Sequence, residues 1–369
     1  MRANILFLAH RPPPYNGVSI LNEDILSSQL LQRTYQVDVV SINTARNLKD
    51  IERKSLKKLF LLIGITFKLL LKLLNKRYQL CYFSLTPTGI GFYKDFFLIM
   101  LVKLFRVRLV YHIHGKGISL QKQWPMAQLY RIVFQGAKVI LVSDKLVYDL
   151  ARYVPAKNIF ILSPGVKQVL SDLEFKGLCE KRKQKSEINL LFLSNLIESK
   201  GVWVALKAAK ILAEKNYQFR FFYLGGCYNI SEQDFLRRVQ EYQLDRIVQY
   251  LGFRNGKDKF EILEKSDIFV YPTYNDIFGI VNVEAMQFGL PVVSTHEGAI
   301  PEIVEDGTTG FLVPQKDPET LADKIEYLMN DGPLRQDMGK AARKKYLSCY
   351  TFERFEQRLV DILKKVVEE

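Results

Sequence analysis

A chain of 369 residues, 48% of them hydrophobic, is too long for one ordinary core and comfortable for two domains. Its four cysteines, Cys81, Cys179, Cys227 and Cys349, form no CxxC or Cys/His cluster, which argues against a disulfide framework or a zinc site and for a reducing compartment. The net charge of +14 is lopsided: residues 1–168 hold 25 Lys+Arg against 8 Asp+Glu (+17), and residues 169–369 hold 28 against 31 (−3), so the N-terminal half calls for an anionic partner such as nucleic acid, anionic lipid or a phosphorylated substrate.

In chain order, MRANILFLAHRPPPY lacks the length and the small-residue cleavage site of a signal peptide, and residues 4–9 read as a first buried strand. The loop after it carries Asn16 and Gly17, where a glycine lets backbone N–H groups approach a phosphate. VDVVSI reads as the next strand. Residues 54–76, KSLKKLFLLIGITFKLLLKLLNK, then place Lys54, Lys57, Lys58, Lys68, Lys72 and Lys76 within an arc of about 100° on a helix otherwise made of Leu, Ile and Phe. The longest uncharged run, 59–67, is far short of the ~20 residues that span a bilayer. Two readings stay open: a helix packed under its own sheet with lysines as its solvated strip, or a basic amphipathic helix lying on an anionic membrane through Lys57, Lys58, Lys68 and Lys72.

LCYFSL, LVYHIH, KVILVS and NIFILS continue the strands. His114 ends one of them before a glycine, at the edge where ligands bind; His112 shares its face by period two and reads as structural, as His10 and His296 do. The charged stretch 176–187, KGLCEKRKQKSE, breaks the alternation and reads as part of a linker over 171–187. The pattern restarts with INLLFLS and runs through FRFFYLG, IVQYLGF, DIFVYP, PVVST and GFLVP. Continuous apolar strands alternating with helices predict two doubly wound α/β domains, over 1–170 and 188–350, with a helix at about 351–369 packing back on the first.

The stretch YNDIFGIVNVEAMQFGLPVV, 274–293, carries the densest chemistry. It follows the strand DIFVYP and opens a helix over 280–288 that Gly289 ends. The free N–H groups at that helix start, near Phe278, Gly279, Ile280 and Val281, favour a phosphate. Glu284, one turn in, suits a vicinal diol such as a ribose, and Asp276, in the loop, faces whatever lies beyond the phosphates. A sugar, a diphosphate and a ribose in a row make a sugar nucleotide. Lys200, before a glycine in the loop after INLLFLS, is a phosphate candidate with Ser194 and Asn195 beside it.

These residues resemble the retaining GT-B glycosyltransferases, in particular glycosyltransferase family 4, whose signature is E-x7-E followed by EAMA-x-G-x-PVV. Asp276-x7-Glu284, with Ala285-Met286 and Gly289-Leu290-Pro291-Val292-Val293, is similar to it, the first acid being one methylene shorter. THEGAIPEIVEDGTTGFLVP (295–314) resembles the GG-x-PE…GFLV segment, with Ala299 for the second glycine. LFLSNLIESKG (191–201) resembles the GRL…KG loop, with Asn195 at the arginine position. PPPYNGVSIL resembles the glycine-rich first loop, and YHIHG places His114 where the family's histidine faces the donor sugar.

The resemblance implies a GT-B fold, two Rossmann-like domains facing across a cleft, the first binding the acceptor and the second the nucleotide-sugar. It implies retaining transfer from a UDP- or GDP-sugar to a glycan or glycolipid of a cell-surface polysaccharide or lipopolysaccharide. His114, Asp276 and Lys200 would be catalytic. Gly17, Asn16, Ser194, Asn195, Arg254, Phe278, Gly279, Ile280, Val281 and Glu284 would join Lys200 and Asp276 in holding the donor. No metal or other cofactor is expected, since no DxD-like pair is found. Partners would be a nucleotide-sugar and a glycan or lipid-linked acceptor, but no nucleic acid; the +17 half and its lysine-striped helix add the expectation of an anionic membrane surface, for a cytoplasmic enzyme peripheral on the inner face of a bacterial membrane. The rivals are a sugar-nucleotide 2-epimerase, against which the FGIVNVEAM context argues, and a basic membrane- or nucleic-acid-binding protein on a degenerate fold, which would leave the donor-site residues idle.

Overall fold

The computed structural model describes residues 2–13, 17–44 and 56–369, leaving aside the side chain of Lys57; Asn16 and Lys54 lie outside the described residues. The chain divides into two compact units, one made of Met1–Gly165 with Glu353–Glu369, the other of Val166–Phe352.

The first unit is built on a parallel sheet of β1 (Asn4–Ala9), β2 (Gln36–Ser41), β3 (Leu80–Leu85), β4 (Arg108–Ile113), β5 (Lys138–Leu141) and β6 (Ile159–Ile161), ordered β2-β1-β3-β4-β5-β6. Its helices are α1 (Gly17–Ser27), α2 (Gln29–Thr34), α3 (Leu56–Asn75), α4 (Gly89–Leu104), α5 (Met126–Phe134) and α6 (Val147–Leu150). Every residue of β3 is buried, as a central strand covered on both faces requires. Strand order reverses between β1 and β3, so loops after these strands diverge and leave a crevice at their carboxyl ends. The crossovers β2–α3–β3 and β3–α4–β4 run the same way along the sheet, and right-handed connection puts α3 and α4 on one face.

The helix α3 corrects one expectation. Its lysines are not simply a solvated strip: Lys72 and Lys76 reach down to Asp38 on β2, at 3.0 and 2.8 Å, and Tyr78 donates its hydroxyl to the same carboxylate at 3.0 Å. Burial pushes the Asp38 carboxyl up, but the two ammonium groups and the phenol outweigh it and hold it down to about 2. Ile65, Leu69 and Leu73 pack inward, while the outward face is apolar, with Phe60 at 73% and Phe67 at 58% exposure.

The second unit holds β7 (Ile188–Leu193), β8 (Phe219–Leu224), β9 (Val248–Tyr250), β10 (Ile268–Tyr271), β11 (Val292–Thr295) and β12 (Gly310–Val313), all parallel, ordered β12-β11-β10-β7-β8-β9. Read from the other edge this is the dinucleotide-fold order, with its switch point between β7 and β10. The helices are α7 (Asp172–Lys183), α8 (Val202–Glu214), α9 (Glu232–Glu241), α10 (Gly256–Lys265), α11 (Ile280–Gln287), α12 (Ile300–Ile303), α13 (Pro318–Asn330) and α14 (Gly332–Cys349). The stretch 171–187, expected as a linker, carries α7, a helix of this unit opened by a Ser171–Glu174 capping box. Its charge misled because Arg182 points inward, donating to the carbonyls of Phe288 at 2.7 Å and Leu263 at 3.0 Å, at the ends of α11 and α10. The last helix, α15 (Phe352–Glu368), groups from Glu353 onward with the first unit, where Tyr35 donates to the Val360 carbonyl and Arg108 to that of Val367.

Candidate functional site

The second unit gathers polar groups at its switch point. The loop after β7 ends in a tight turn, Glu198–Lys200, and the loop after β10 is drawn against it: Tyr274 N–H and the Thr273 hydroxyl both donate to the Ser199 carbonyl, at 2.9 and 3.0 Å. Gly201 makes this approach possible. Its φ is +85°, and a Cβ there would lie 2.6 Å from the Pro272 carbonyl carbon. The two loops therefore present Lys200 to Asp276, with Nζ 2.8 Å from Oδ2 and 3.0 Å from the Asn275 carbonyl.

Asp276 is held from all sides. Tyr271 donates its hydroxyl to Oδ2 at 2.6 Å, while Oδ1 accepts from Ile277 N–H at 2.7 Å and Gly279 N–H at 3.2 Å. Its own N–H donates to Glu297 Oε1 at 3.2 Å, and Gln315 holds the other Glu297 oxygen at 2.7 Å. Burial pushes the Asp276 carboxyl up, but Lys200, the Tyr271 phenol and the Ile277 N–H outweigh it and hold it below the usual carboxylate range. The Tyr271 phenol is driven well above its ordinary value by burial and then by the Asp276 charge, so it serves as a donor. The carboxylate thus occupies the lysine and part of the helix start that the sequence assigns to a diphosphate.

Gly279 opens α11 at φ +75°, the left-handed region, and Ile280 and Val281 of the first turn are half-buried. Glu284, one turn in, is paired to Lys259 on α10 at 2.8 Å, each side chain about one-fifth exposed. The Phe278 side chain is 5% exposed and its ring packs edge-on to Tyr350 at 6.1 Å, so only its backbone is left to face a donor. Asn195 uses its side-chain oxygen on Gly226 N–H at 2.9 Å, bracing the loops after β7 and β8, and Ser194 donates its N–H to Leu224 O at 2.9 Å. Arg254 is exposed.

In the first unit, a histidine cluster lies at the carboxyl ends of β1, β3 and β4. His114 follows β4; its Nε2 is buried without a hydrogen-bond partner, and burial lowers its pKa to about 4. Its ring stacks obliquely at 4.0 Å on His112, whose Nδ1 meets the Tyr82 hydroxyl at 2.6 Å and which burial, then His114, keeps neutral. His10 bonds Asn43 at 3.2 Å; burial, then Lys94, lowers its pKa to about 3. Gly17 is the exposed first residue of α1, with nothing near enough to demand a glycine.

The residues that sequence reasoning missed are those that hold others in place. Tyr271 and Glu297 fix Asp276, Lys259 pairs with Glu284, and Asp149 accepts the N–H groups of Gly117, Ile118 and Ser119 at 2.8–3.1 Å, ordering the loop just after His114. Tyr271 and Lys259 were legible only as a strand residue and a surface charge. Glu297 carried the one signal available, an acid beside Gly298 in the 295–314 segment.

Residues 179–345, within the second unit, match the Glycosyl transferases group 1 family model. A D-inositol 3-phosphate glycosyltransferase of Corynebacterium aurimucosum is 32% identical over 53% of this chain and 49% of its own. The capsular polysaccharide biosynthesis glycosyltransferase CapM of Staphylococcus aureus is 26% identical over 69% of this chain and 71% of its own. The chain spans about half the length of most of the curated relatives it matches. Among solved structures, a glycosyltransferase from Rickettsia africae superposes with a TM-score of 0.79 over 100% of this chain and 99% of that one at 17% identity. Anabaena HepE in complex with UDP and glucose superposes with 0.72 over 98% and 100% at 20% identity. The fold is GT-B.

Proposed function

We propose that this chain is a retaining glycosyltransferase of glycosyltransferase family 4, moving a sugar from a UDP- or GDP-sugar to a glycan or glycolipid acceptor in cell-surface polysaccharide or lipopolysaccharide assembly, in the cytoplasm. The carrying observation is the Lys200–Asp276 pair at the β7/β10 switch point, beside the N-terminus of α11. Relatives that act in capsule assembly, and a neighbour of the same fold crystallised with UDP and glucose, support the donor and the pathway class.

In this reading the bond from the anomeric carbon to the diphosphate oxygen breaks while the acceptor oxygen bonds the same face of that carbon. The acceptor's proton passes to the leaving diphosphate. The chain works by positioning and charge. Lys200 and the first-turn N–H groups of α11 take up the charge on the diphosphate, displacing Asp276 from the lysine. Asp276 then turns to sugar hydroxyls, Glu284 holds the ribose, and His114, neutral at pH 7 because burial lowers its pKa to about 4, orients the sugar by hydrogen bonding. The cation is a lysine, so turnover should persist in EDTA.

A panel of UDP- and GDP-sugars, with acceptor extracts, tests the reading by nucleotide release. Release with one donor, accompanied by transfer to acceptor, is the expected result. Conversion of the sugar without transfer would establish the 2-epimerase instead. No turnover and no nucleotide binding in calorimetry would leave only a non-enzymatic protein on this fold.

A further inference from the structure

The first unit turns an apolar surface outward. On α3, Leu56, Phe60, Ile63, Phe67, Leu71 and Leu74 are each more than two-fifths exposed and fall within an arc of about 80° at helical spacing. On α4, which shares its face of the sheet, Ile90, Tyr93, Phe97 and Leu104 are exposed on one stripe, with Phe97 at 62% and Leu104 at 76%. The second unit offers nothing comparable: among the described residues its exposed large hydrophobics are Val169, Leu173, Leu236, Phe253 and Tyr327, scattered along the chain. A contiguous apolar face of this kind marks a contact surface.

Charge identifies the occupant. The helices α3 and α4 together contain one acidic residue, Asp95, which is fully buried against Lys94 at 3.1 Å. Lys68 stands exposed about 60° around the helix from the apolar stripe. The half of the chain that carries this face has an excess of +17. A second copy would bring that positive half against itself, whereas an anionic lipid surface neutralises it. Among the described residues no helix is long and apolar enough to cross a membrane. A helix of 20 residues, about 30 Å long, with one apolar face and basic flanks lies in the interface plane.

We infer that the outer face of α3 and α4 docks on an anionic membrane, with Phe60, Ile63 and Phe67 entering the interface and Lys68 beside them meeting lipid phosphates. This contact does not depend on the sugar-transfer reading. It is made by the apolar side chains, not by the lysine strip alone, because Lys72 and Lys76 are spent on Asp38.

Co-sedimentation of the full chain with vesicles of phosphatidylcholine containing phosphatidylglycerol, or of phosphatidylcholine alone, tests it, with the fold of each variant checked by circular dichroism. The wild type should pellet with the anionic vesicles, roughly tenfold or more tightly than with the neutral ones, and less so in high salt. The triple variant Phe60→Ser, Ile63→Ser, Phe67→Ser removes only exposed side chains and should lose roughly tenfold or more of that binding. In a Phe67→Trp variant, vesicles should shift the tryptophan emission to the blue. A wild type that stays in the supernatant at low salt overturns the inference. So does an unshifted Phe67→Trp emission in pelleted protein, which would mean charge contact without insertion. A dimer in light scattering that the triple variant abolishes, with no vesicle binding, would show the face to be a contact between copies of the chain.

Discussion

Asp276 is bound to the lysine that a diphosphate would need, and this sets the sign of a residue-scale prediction. Asp276→Asn removes the anion from Lys200 while keeping the side-chain shape, so nucleoside diphosphate affinity should hold or rise, by up to about tenfold, while turnover falls. Calorimetry beside steady-state rates reads both, and wild-type turnover would remove Asp276 from the chemistry. Lys200→Ala should weaken the nucleoside diphosphate by about ten- to a hundredfold, the worth of a charge-assisted hydrogen bond of roughly 1.5–3 kcal/mol, and spare the nucleoside. Glu284→Ala should weaken both to that extent if it holds the ribose as proposed; unchanged binding would exclude it from the site. The histidines make a pH prediction. His114 titrates near 6.5 unfolded and at about 4 folded, so between those values the unfolded chain binds more protons and stability falls with falling pH. The loss should reach roughly 3 kcal/mol by pH 4 for this residue alone, read as a drop in urea midpoint that His114→Gln makes shallower. The acids, the lysine and the glycines of these two loops were legible as candidates, because spacing and flanking glycines are properties of the chain. That Asp276 and Lys200 are partners was not, because they are 76 positions apart and meet only through the loops that Gly201 brings together.

At the scale of elements, α11 depends on one backbone angle. Gly279 adopts φ +75°, and a Cβ there would come 2.6 Å from Asn282 Nδ2, so Gly279→Ala should cost about 1–2 kcal/mol and tilt the N–H groups that face the ligand. Thermal melts paired with nucleotide titration check this; a variant as stable and as tight-binding as wild type would mean the turn is not strained. The expected strands all form, within three residues at their ends, because parallel strands covered on both faces must be apolar throughout and are therefore easy to read. The helix α7 was hidden for the converse reason. Its sequence is mostly charged, and the decisive contacts, Arg182 on the carbonyls that end α10 and α11, lie about 80 and 106 positions away. For α3 the periodicity located the lysine arc, yet the buried side is set by where the sheet lies, and the sheet took the side bearing Leu69 and Leu73 next to the lysines.

For the whole molecule, α15 is the element whose place is least local. Phe355, Leu359, Leu363 and Val366 are buried, and the helix bonds to Tyr35 and Arg108 of the first unit. Deleting residues 353–369 should therefore raise hydrogen exchange in β1 and β2 while leaving β7 and β10 protected, and equal loss in both sheets would contradict this division. The sequence by itself determined the alternation of strand and helix, the two-sheet architecture, the asymmetry of charge and the residue types of the loop after β10, since each depends on near neighbours, on period or on composition. Tertiary structure alone decided that Asp276 closes on Lys200, that Glu284 pairs with Lys259, that Phe278 turns into the core and that the outer face of α3 is apolar. Those outcomes depend on which distant loops and strands become neighbours, and that is fixed only when strand order has been chosen and the sheets are packed.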